Sequence, residues 1–485
     1  MFIKGDACGV KLQKILSELS VIEIHGSTDS DITSVTNNSR ECKAGSLFVA
    51  VRGFQTDGHK YIASAAANGA SAVICEEYNP DIDITQIVVS DSRRSEAVAA
   101  SAFYGHPSQS FKLIGITGTN GKTTVTYLVK HILECCGCKV GLIGTNQNMI
   151  GDQIIETGRT TPHAIELQGI FAKMAQAKVD YCVMEVSSHA LELDRVYGCT
   201  FSVGAFTNLT QDHLDFHKTM ENYAAAKFKL MQICGSAVIN CDDAFGKEMA
   251  EKCSVPCFSY AVNDPSAVLR AQNVELDASG VSFGIDSVSY SVGIPGEFSV
   301  YNALCAIGIA KASGISDSQI SSALKSASGV KGRAEVVPTL TDYTVLIDYA
   351  HTPDGIENIL SAVRGFVKGR VIIVFGCGGD RDSTKRPIMG EIAGKMADFC
   401  VVTSDNPRTE DPMKIITMVE EGVRRSGCDY VVIESRRDAI KYALDNARTG
   451  DCIVLAGKGH ETYQILNSGT IHFDEREVVR EILGI

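Results

Sequence analysis

The sequence predicts a three-domain α/β protein: a small mixed α/β N-terminal domain (1–108), a central domain with a mostly parallel sheet (109–332) and a C-terminal doubly wound, Rossmann-like domain (333–485). The length of 485 residues suggests two to four domains. Apolar strand patterns alternate with helical patterns from Lys112 onward, which favours parallel sheets covered by helices. A turn near 106–108 and a change of pattern near 329–333 mark the expected boundaries.

Short apolar runs predict the strands of the three sheets, and an Ala-rich run at 62–68 predicts a helix in the first domain. The strands are predicted at 46–51, 87–89, 112–116, 181–184, 237–239, 344–347, 371–375, 400–402 and 452–455. Ligands of such sheets bind at the carboxyl ends of the strands, so we expect functional residues in the loops that follow them.

Composition excludes several classes of function. With 45 Lys and Arg against 58 Asp and Glu, the net charge of −13 disfavours nucleic acid and anionic membranes as partners. No apolar run reaches the roughly 20 residues of a membrane span, and residues 1–6 lack the apolar core of a signal peptide. Seventeen scattered cysteines suggest thiols, and the cluster Cys135, Cys136 and Cys138 has no second cluster at zinc spacing. We therefore expect a cytoplasmic protein.

The strand at 112–116 leads into the segment TGTNGKTT at 117–124 and then into a helical pattern. In a phosphate loop, backbone N–H groups and the helix N-terminus hold phosphate, Lys122 reaches the β/γ phosphates and the Thr123 hydroxyl binds Mg²⁺. Ile116 stands where the general motif has its first glycine, and the alternative is a turn that only ends the strand. We favour a P-loop ATPase domain that binds ATP through Gly118, Thr119, Asn120, Gly121, Lys122, Thr123 and Thr124.

Two further residues follow strands of the central sheet. Glu185 comes directly after the strand at 181–184, where an acidic ligand of Mg²⁺ is expected. His213 lies in the polar segment 208–215. A lone histidine is more often structural, but the two residues at strand ends of one sheet predict a metal site that includes Thr123.

Five motifs occur in order along the chain: TGTNGKTT at 117–124, EVSSH at 185–189, TNL at 207–209, DHLD at 212–215 and DYAHTP at 348–353. Together they resemble the motifs of the Mur ligases of peptidoglycan synthesis. NSR at 38–40, GSLFVA at 45–50 and DGH at 57–59 are similar to the family member that adds the third residue of the stem peptide. The resemblance covers nearly the whole chain.

The resemblance implies a cytoplasmic, ATP-dependent amide ligase in cell-wall synthesis, in which ATP turns a carboxylate into an acyl phosphate that an amine displaces. The small-molecule partners implied are UDP-N-acetylmuramoyl-L-alanyl-D-glutamate and meso-2,6-diaminopimelate. We expect a monomer. The enzyme's task in such chemistry is positioning and charge neutralisation.

By the same resemblance, Lys122, Lys227 and His213 are catalytic, and the metal ligands are Thr123, Glu185, His213 and Lys227 as a carbamate. A lysine on a helix is usually a solvated charge, but Ala226 and Phe228 suggest partial burial of Lys227. Further ATP contacts are implied for Asn302, Arg333, Asp348 and His351. The alternative for Asn302 is a helix N-cap.

The UDP-muramoyl-dipeptide contacts implied are Ser39 and Arg40 at the uridine end, with Thr160, Thr161, Ser187 and Arg195 at the sugar, phosphates and dipeptide. An arginine provides a planar fork for carboxylate or phosphate. The alternative for Arg195 is a solvated helix charge.

The amino acid is expected at the loop DNPR, 405–408, after the strand at 400–402. Diaminopimelate differs from lysine by a second carboxylate, which Arg408 can bind with Arg381 from the neighbouring strand end and Asn406 as a donor, while Glu461 faces the distal ammonium. In the family, Arg after Asp-Asn-Pro resembles the diaminopimelate enzymes. Alternatively, Arg408 only pins its own loop through Glu410 or Asp411. The predicted diaminopimelate site is Arg381, Asp405, Asn406, Pro407, Arg408, Gly457 and Glu461.

Three alternative functions stay open at this point: the L-lysine-adding ligase of the same family, folylpolyglutamate synthetase, and a nucleotide-regulated binding protein. The first domain and the DNPR loop argue against folylpolyglutamate synthetase, which would share the phosphate loop and the lysine. A binding protein has no reason to carry an amino-acid loop.

Overall fold

The computed structural model describes residues 9–53, 56–155, 158–277, 280–327 and 329–485. The expectation that residues 1–6 are no signal peptide concerns a segment outside this description. In the part of the chain that is described, no helix is long and apolar enough to cross a membrane.

The N-terminal elements form a five-stranded sheet with helices beside it. The order is β2-β7-β6-β5-β4, parallel except for β2, and β1 pairs with β3 separately. The elements are β1 (Val10–Lys11), α1 (Leu12–Leu16), β2 (Val21–His25), β3 (Asp31–Ile32), β4 (Ser34–Thr36), β5 (Ser46–Val49), α2 (Ile62–Ala67), β6 (Ala70–Cys75), β7 (Thr85–Val89) and α3 (Ser92–Phe103).

The central elements form a nine-stranded sheet of order β11-β10-β9-β12-β8-β13-β14-β15-β16, parallel from β9 to β16, and a small antiparallel sheet β17-β18-β19. The strands are β8 (Lys112–Thr117), β9 (Val140–Ile143), β10 (Asn148–Ile150), β11 (Gln153–Ile155), β12 (Tyr181–Glu185), β13 (Phe201–Phe206), β14 (Cys234–Asn240), β15 (Cys257–Ala261), β16 (Leu269–Arg270), β17 (Gln272–Asp277), β18 (Gly280–Ile285) and β19 (Val288–Val292). The helices are α4 (Lys122–Cys135), α5 (Ala164–Gln176), α6 (Ser188–Glu192), α7 (Leu214–His217), α8 (Met220–Gln232), α9 (Ala244–Lys252), α10 (Glu297–Ala312) and α11 (Asp317–Lys325).

Both faces of the central sheet are covered, so its inner strands are apolar throughout. On one face α4, α10 and α11 pack against β8 and β13 through residues such as Val129 and Leu304. On the other face α5, α8 and α9 supply Phe171 and Leu230. The helices leave uncovered the edge of the sheet at the carboxyl ends of β8, β12 and β13, where the loops that follow these strands lie.

The C-terminal elements form a six-stranded sheet of order β20-β21-β25-β22-β23-β24, parallel except for β20, with a hairpin β26-β27. Helices α12, α13 and α14 cover one face, and α15 and α16 cover the other, as in a doubly wound fold. The elements are β20 (Glu335–Val337), β21 (Thr344–Asp348), α12 (Pro353–Arg364), β22 (Val371–Phe375), α13 (Lys385–Met396), β23 (Phe399–Val402), α14 (Pro412–Ser426), β24 (Tyr430–Val432), α15 (Arg436–Asn446), β25 (Cys452–Ala456), β26 (Tyr463–Leu466), β27 (Gly469–His472) and α16 (Glu475–Leu483).

The predicted fold class is confirmed, since three α/β units with mostly parallel sheets follow one another along the chain. Each predicted strand corresponds to a strand of the structure, and the predicted helix at 62–68 is α2. Three adjacent strands of the central sheet end at Thr117, Glu185 and Phe206. The loops that follow these residues therefore meet at one edge of the sheet.

Candidate active site

The phosphate loop joins β8 to the N-terminus of α4, and two of its glycines are required by close contacts. Gly118 and Gly121 have φ of 146° and 83°. A Cβ at Gly118 would stand 1.8 Å from Thr207 Oγ1, and one at Gly121 would stand 2.4 Å from Asn302 Oδ1. The loop is therefore a backbone turn between β13 and α10, with the positive end of a 14-residue helix behind it.

The ammonium of Lys122 folds back over this loop. Its Nζ donates to the carbonyls of Gly118 at 2.9 Å and Thr119 at 2.8 Å. Burial, together with the charge of Arg333, lowers the pKa of Lys122, although Glu185 opposes the shift. An anion beside Lys122 would restore the charged form.

Glu185, the last residue of β12, is 1% exposed and lies against the start of α4. Its Oε1 accepts from Thr123 Oγ1 at 3.0 Å and from the backbone N of Thr145 at 2.9 Å, and its Oε2 accepts from Thr145 Oγ1 at 3.0 Å. The structure thus brings the predicted pair Thr123 and Glu185 together. Thr145, after β9, is a site neighbour that the sequence did not indicate.

Lys227 on α8 is 1% exposed, so it is more deeply buried than its apolar neighbours suggested. Its Nζ donates to the Gly118 carbonyl at 2.8 Å and lies 4.3 Å from the centre of the Tyr223 ring. Burial lowers the pKa of Lys227 well below its ordinary value, and the charge of Lys122 adds to this shift. A neutral amine is the form that can react with CO₂.

His213 begins α7 in a left-handed conformation with φ of 53°. Its Nε2 lies 3.3 Å from an oxygen of Asp212, and its ring packs edge-on against His189 at 4.8 Å. Desolvation lowers the pKa of His213 to about 4, so the ring is neutral near pH 7 and able to bind a metal. The described residues contain no group of three or more His, Cys, Asp or Glu placed to hold a metal, so other ligands would be needed.

A cavity of about 660 Å³ lies beside the phosphate loop, between the central and C-terminal sheets. Its lining includes the predicted ATP residues Asn120, Gly121, Thr124, Asn302, Arg333, Asp348 and His351. Asn302 is the sixth residue of α10 and its Oδ1 faces Gly121, so the helix-cap alternative is wrong.

Arg333 joins the C-terminal unit to the central one at this cavity, and Asp348 lines the same cavity. The Nη2 of Arg333 donates to Thr123 Oγ1 at 3.2 Å, and its guanidinium stacks 4.8 Å from the Tyr349 ring. The carboxylate of Asp348 accepts hydrogen bonds from the backbone N of Ala334 at 2.7 Å and from that of Ala350 at 2.8 Å. Burial raises the pKa of Asp348. The buried Nε of Arg333 has no hydrogen-bond partner among the described residues.

Asp354, in the first turn of α12, is a second contact that the sequence did not indicate. Its Oδ2 accepts from the Nδ2 of Asn120 and, at 3.2 Å, from Thr210 Oγ1. Asn120 belongs to the phosphate loop, so a carboxylate of the C-terminal unit holds the loop of the central one.

The residues predicted for the dipeptide form a second group next to Glu185. Thr161 Oγ1 donates a hydrogen bond to the Glu185 carbonyl at 2.9 Å and accepts one from the backbone N of Ser187 at 3.0 Å. Arg195 Nη1 donates to the Thr161 carbonyl at 2.8 Å. Thr160 joins the group because its Oγ1 lies 3.0 Å from Thr145 Oγ1. Arg195 is not a solvated charge, since its Nε is buried without a hydrogen-bond partner within the described residues.

Ser39 and Arg40 lie apart from this group, in a short 3₁₀ turn of the N-terminal unit. Ser39 is buried and its carbonyl accepts from Asn68 at 2.9 Å, whereas Arg40 is exposed. Among the described residues, no hydrogen bond joins Ser39 or Arg40 to the residues around Glu185.

The DNPR loop follows β23 and is fastened by its own residues. Asp405 and Asn406 are buried, Pro407 follows them, and a Cβ at Gly457 would stand 2.6 Å from Asp405 Oδ2. The Nη1 of Arg408 donates to the Gly379 carbonyl at 2.7 Å. The proposed alternative partners of Arg408 have other roles.

Those roles are specific. Glu410 accepts two hydrogen bonds from Arg386 at 2.8 and 3.0 Å, and Asp411 caps α14 through the backbone N of Met413. Arg381 is exposed and donates to the carbonyl of Asp380 at 3.0 Å. The charged ends of Arg381 and Arg408 therefore lie in loops that follow neighbouring strands, β22 and β23.

Glu461, predicted to face the distal ammonium, is held by two neighbouring side chains. Its Oε2 accepts from the Nζ of Lys458 and from the Nδ2 of Asn406, both at 2.9 Å. Lys458 lies in the segment GKGHE, where the sequence predicts site roles for Gly457 and Glu461 only. Tyr349 lies between this site and the ATP-side cavity, because its ring contacts His460 at 4.9 Å and Arg333 at 4.8 Å.

Comparison with known proteins agrees with this arrangement. The description "Mur ligase family, catalytic domain" matches residues 31–104, "Mur ligase middle domain" matches 116–310 and "Mur ligase, glutamate ligase domain" matches 332–459. A UDP-N-acetylmuramoyl-L-alanyl-D-glutamate--2,6-diaminopimelate ligase of Clostridium botulinum is 50% identical over 93% of this chain and 95% of its own. The chain belongs to the Mur ligase family.

Two further relatives of this Mur ligase carry the same name. One, from Caldanaerobacter subterraneus subsp. tengcongensis, is 51% identical over 95% of this chain and 97% of its own. A solved structure with that name is 31% identical, covers 98% of this chain and 99% of its own, and superimposes with a TM-score of 0.71. The similarity therefore extends through all three units.

Proposed function

We propose that this Mur ligase adds meso-2,6-diaminopimelate to UDP-N-acetylmuramoyl-L-alanyl-D-glutamate with the hydrolysis of ATP, giving the UDP-muramoyl-tripeptide of peptidoglycan synthesis. The relatives at 50% identity support the reaction. The observation that carries it is Tyr349, which touches Arg333 on the ATP side and His460, next to Glu461, on the amino-acid side. Two substrates bound on either side of one residue can react with each other.

The residues present fit ATP. A Cβ at Gly118 or Gly121 would clash with neighbouring side chains, so the loop presents open backbone to phosphates. The ammonium of Lys122 and the buried Nε of Arg333, which has no hydrogen-bond partner among the described residues, give this cradle a positive character. We assign the phosphates to Gly118, Thr119, Asn120, Gly121, Lys122, Thr123 and Thr124, and the nucleoside end to Asn302, Arg333, Asp348 and His351.

For Mg²⁺, we propose two groups of ligands. Thr123 and Glu185 provide a hydroxyl and a carboxylate already 3.0 Å apart. His213 provides a neutral imidazole, and Lys227 provides a carbamate after reaction of its amine with CO₂. Oxygen ligands are what Mg²⁺ prefers, and phosphate oxygens would complete each set.

When bound, ATP would supply the γ-phosphoryl group that makes the dipeptide carboxylate an acyl phosphate, with ADP as the leaving group, and Mg²⁺ would neutralise phosphate charge. The chain's own residues do the rest. Lys122 neutralises phosphate charge at the loop, where a preorganised cation stabilises the transition state. Thr160, Thr161, Ser187 and Arg195 hold the dipeptide beside Glu185, and Ser39 with Arg40 hold the uridine end.

The amino acid is held by the DNPR loop. Arg408 and Arg381 face the distal carboxylate, and Asp405, Asn406, Pro407, Gly457 and Glu461 form the remainder of the site. The amine of diaminopimelate then displaces phosphate from the acyl group and forms the new amide.

Two other ligase functions are less well supported. An L-lysine-adding enzyme would not need the charge of Arg408, whose guanidinium uses only Nη1 for Gly379 among the described contacts and keeps donors for a second carboxylate. Folylpolyglutamate synthetase does not account for the N-terminal unit, which the Mur ligase description matches over 31–104.

The test is to incubate the purified protein with ATP, Mg²⁺ and the UDP-linked dipeptide, with meso-diaminopimelate, L-lysine or no amino acid, and to measure product mass. We expect one diaminopimelate residue to be added, with ADP release that depends on the dipeptide. Addition of L-lysine at an equal rate would refute the choice of amino acid. In a parallel assay with folate and glutamate, product formation there and none from the UDP-linked dipeptide would refute the proposed acceptor. A lysine far from the site provides a control: Lys441→Met, in an exposed i,i+4 pair with Asp445, should leave turnover unchanged.

A further inference from the structure

Lys458 is a buried ammonium next to the DNPR loop. Its side chain is fully buried, and its Nζ donates to Glu461 Oε2 at 2.9 Å and to Asn406 Oδ1 at 3.1 Å. A cation removed from water requires acceptors that compensate for the loss, and these two provide them. The position of Lys458 is therefore coupled to that of Glu461.

Asn406 fixes the same network from the other side. Its Oδ1 accepts from Lys458 and from the backbone N of Ile465 at 3.0 Å, and its Nδ2 donates to Glu461 Oε2 at 2.9 Å. An amide oxygen only accepts and an amide nitrogen only donates, so two donors on Oδ1 determine the orientation of the amide. Glu461 Oε2 consequently receives one hydrogen bond from each of two buried residues.

The other carboxylate oxygen of Glu461 is in a different situation. Oε1 accepts no hydrogen bond from the part of the chain that the structure describes. Arg408 belongs to the same part of the structure, because its backbone N donates to the carbonyl of Ile465 at 3.1 Å, and the backbone N of Ile465 donates to Asn406 Oδ1. A Glu461 without restraint would be attracted to Arg408, and that ion pair would cancel the two charges the amino-acid site offers.

We propose that Lys458 is a positioning residue for the amino-acid step. Together with Asn406 it holds Glu461 by Oε2, leaves Oε1 for the distal ammonium of diaminopimelate and keeps Glu461 from pairing with Arg408. This inference rests on the proposed function, since it needs an amino acid with a side-chain ammonium at this site.

The first experiment is Lys458→Met, which keeps the length of the side chain and removes its charge. We expect kcat/KM for meso-diaminopimelate to fall roughly 10- to 100-fold, as for loss of a hydrogen bond to a charged group. The KM for ATP should stay within about twofold. Formation of acyl phosphate without amino acid, trapped by borohydride reduction, should also persist, because Lys458 acts only in the second step. A merely structural role would lower both steps.

A double-mutant cycle separates positioning from folding. If Lys458 acts through Glu461, the variant Lys458→Met with Glu461→Gln should have the same kcat/KM for diaminopimelate as Glu461→Gln alone. The double variant also buries no unpaired carboxylate, so it keeps the test decisive if Lys458→Met does not fold.

Two results would overturn the inference. One is a loss in the double variant equal to the product of the two single losses. The other is an equal loss of acyl-phosphate formation in Lys458→Met. If the unmutated protein forms acyl phosphate but adds no amino acid, the proposed function fails and this inference fails with it, whereas an active unmutated enzyme with multiplicative losses refutes this inference alone.

Discussion

Selection of meso-diaminopimelate over L-lysine should depend on Arg408. We consider Arg408→Ala and Arg408→Gln. The residue has φ of 54°, and both replacements keep a Cβ, so the backbone strain of the left-handed conformation is similar in all three proteins. Glutamine can still donate to the Gly379 carbonyl, as Arg408 does at 2.7 Å, but it carries no charge.

The magnitude follows from the donors of the guanidinium. Arginine has five N–H donors, and the described protein contacts use one of them, on Nη1, for Gly379. The others can face a carboxylate. One charge-assisted hydrogen bond is worth roughly 1.5–3 kcal/mol, which corresponds to about ten- to over a hundredfold in kcat/KM. We expect the unmutated enzyme to prefer diaminopimelate by at least about a hundredfold and both variants to lose most of that preference.

The assay compares kcat/KM for the two amino acids in each protein, with the KM for ATP as an internal control. Arg437→Gln is the matched variant, because Arg437 is half-exposed on α15 and pairs only with Glu481 among the described carboxylates. If Arg408→Gln kept its preference while Arg408→Ala lost it, Arg408 would serve to fasten the loop to Gly379, and the reasoning from charge would be refuted.

Three more predictions concern buried charges. Lys122→Ala should lower turnover by about 10³-fold or more because a preorganised cation is lost, and near-normal acyl-phosphate formation would contradict this. Lys227→Ala should be nearly inactive and partly restored by added short carboxylates, and CO₂ depletion should lower the activity of the unmutated enzyme; an active variant would refute the carbamate. Burial raises the pKa of Glu96 to about 7, so the folded state holds a proton that the unfolded state, with a pKa near 4.5, gives up. Stability should therefore fall by up to about 3 kcal/mol as the pH rises from 4.5 to 7. Glu96→Gln should raise Tm at pH 8 but not at pH 4, and an equal Tm at pH 8 would exclude a penalty at Glu96.

The phosphate loop and the strand ends could be predicted because their signals are local. A run of apolar residues ending at Thr117, followed by glycines and Lys122, specifies strand, turn and helix within a dozen residues. Glu185 could be placed by the same rule, as the last residue of a buried strand. Parallel neighbours in one sheet then bring such positions to one edge.

The neighbours of these residues could not be predicted, because their contacts join distant parts of the chain. Asn120 and Asp354 are 234 positions apart, and the first turn of α12 gives no sign of which loop it will meet. Thr145 follows a strand that lies beside β12 only after the sheet has formed. Lys458 lies between two glycines in the segment GKGHE, and a lysine in such a sequence is usually exposed to solvent. Its burial becomes visible only in the packed structure.

The two lysines at the phosphate loop show why this arrangement requires anions. Lys122 and Lys227 both donate to the carbonyl oxygen of Gly118, at 2.9 and 2.8 Å, so two lysine nitrogens share one neutral acceptor. Burial lowers the pKa of both lysines, and the charge of Lys122 lowers the pKa of Lys227 further. Two changes can relieve this repulsion: phosphate oxygens can approach Lys122, or the neutral amine of Lys227 can take up CO₂ and become an anion. The carbamate would supply a ligand for Mg²⁺, and the approach of ATP would bring the phosphates that Mg²⁺ also binds. Carbamylation of Lys227 and binding of ATP should therefore favour each other. The repulsion between the two lysines is thus a physical reason to expect carbamylation at Lys227 rather than at an exposed lysine.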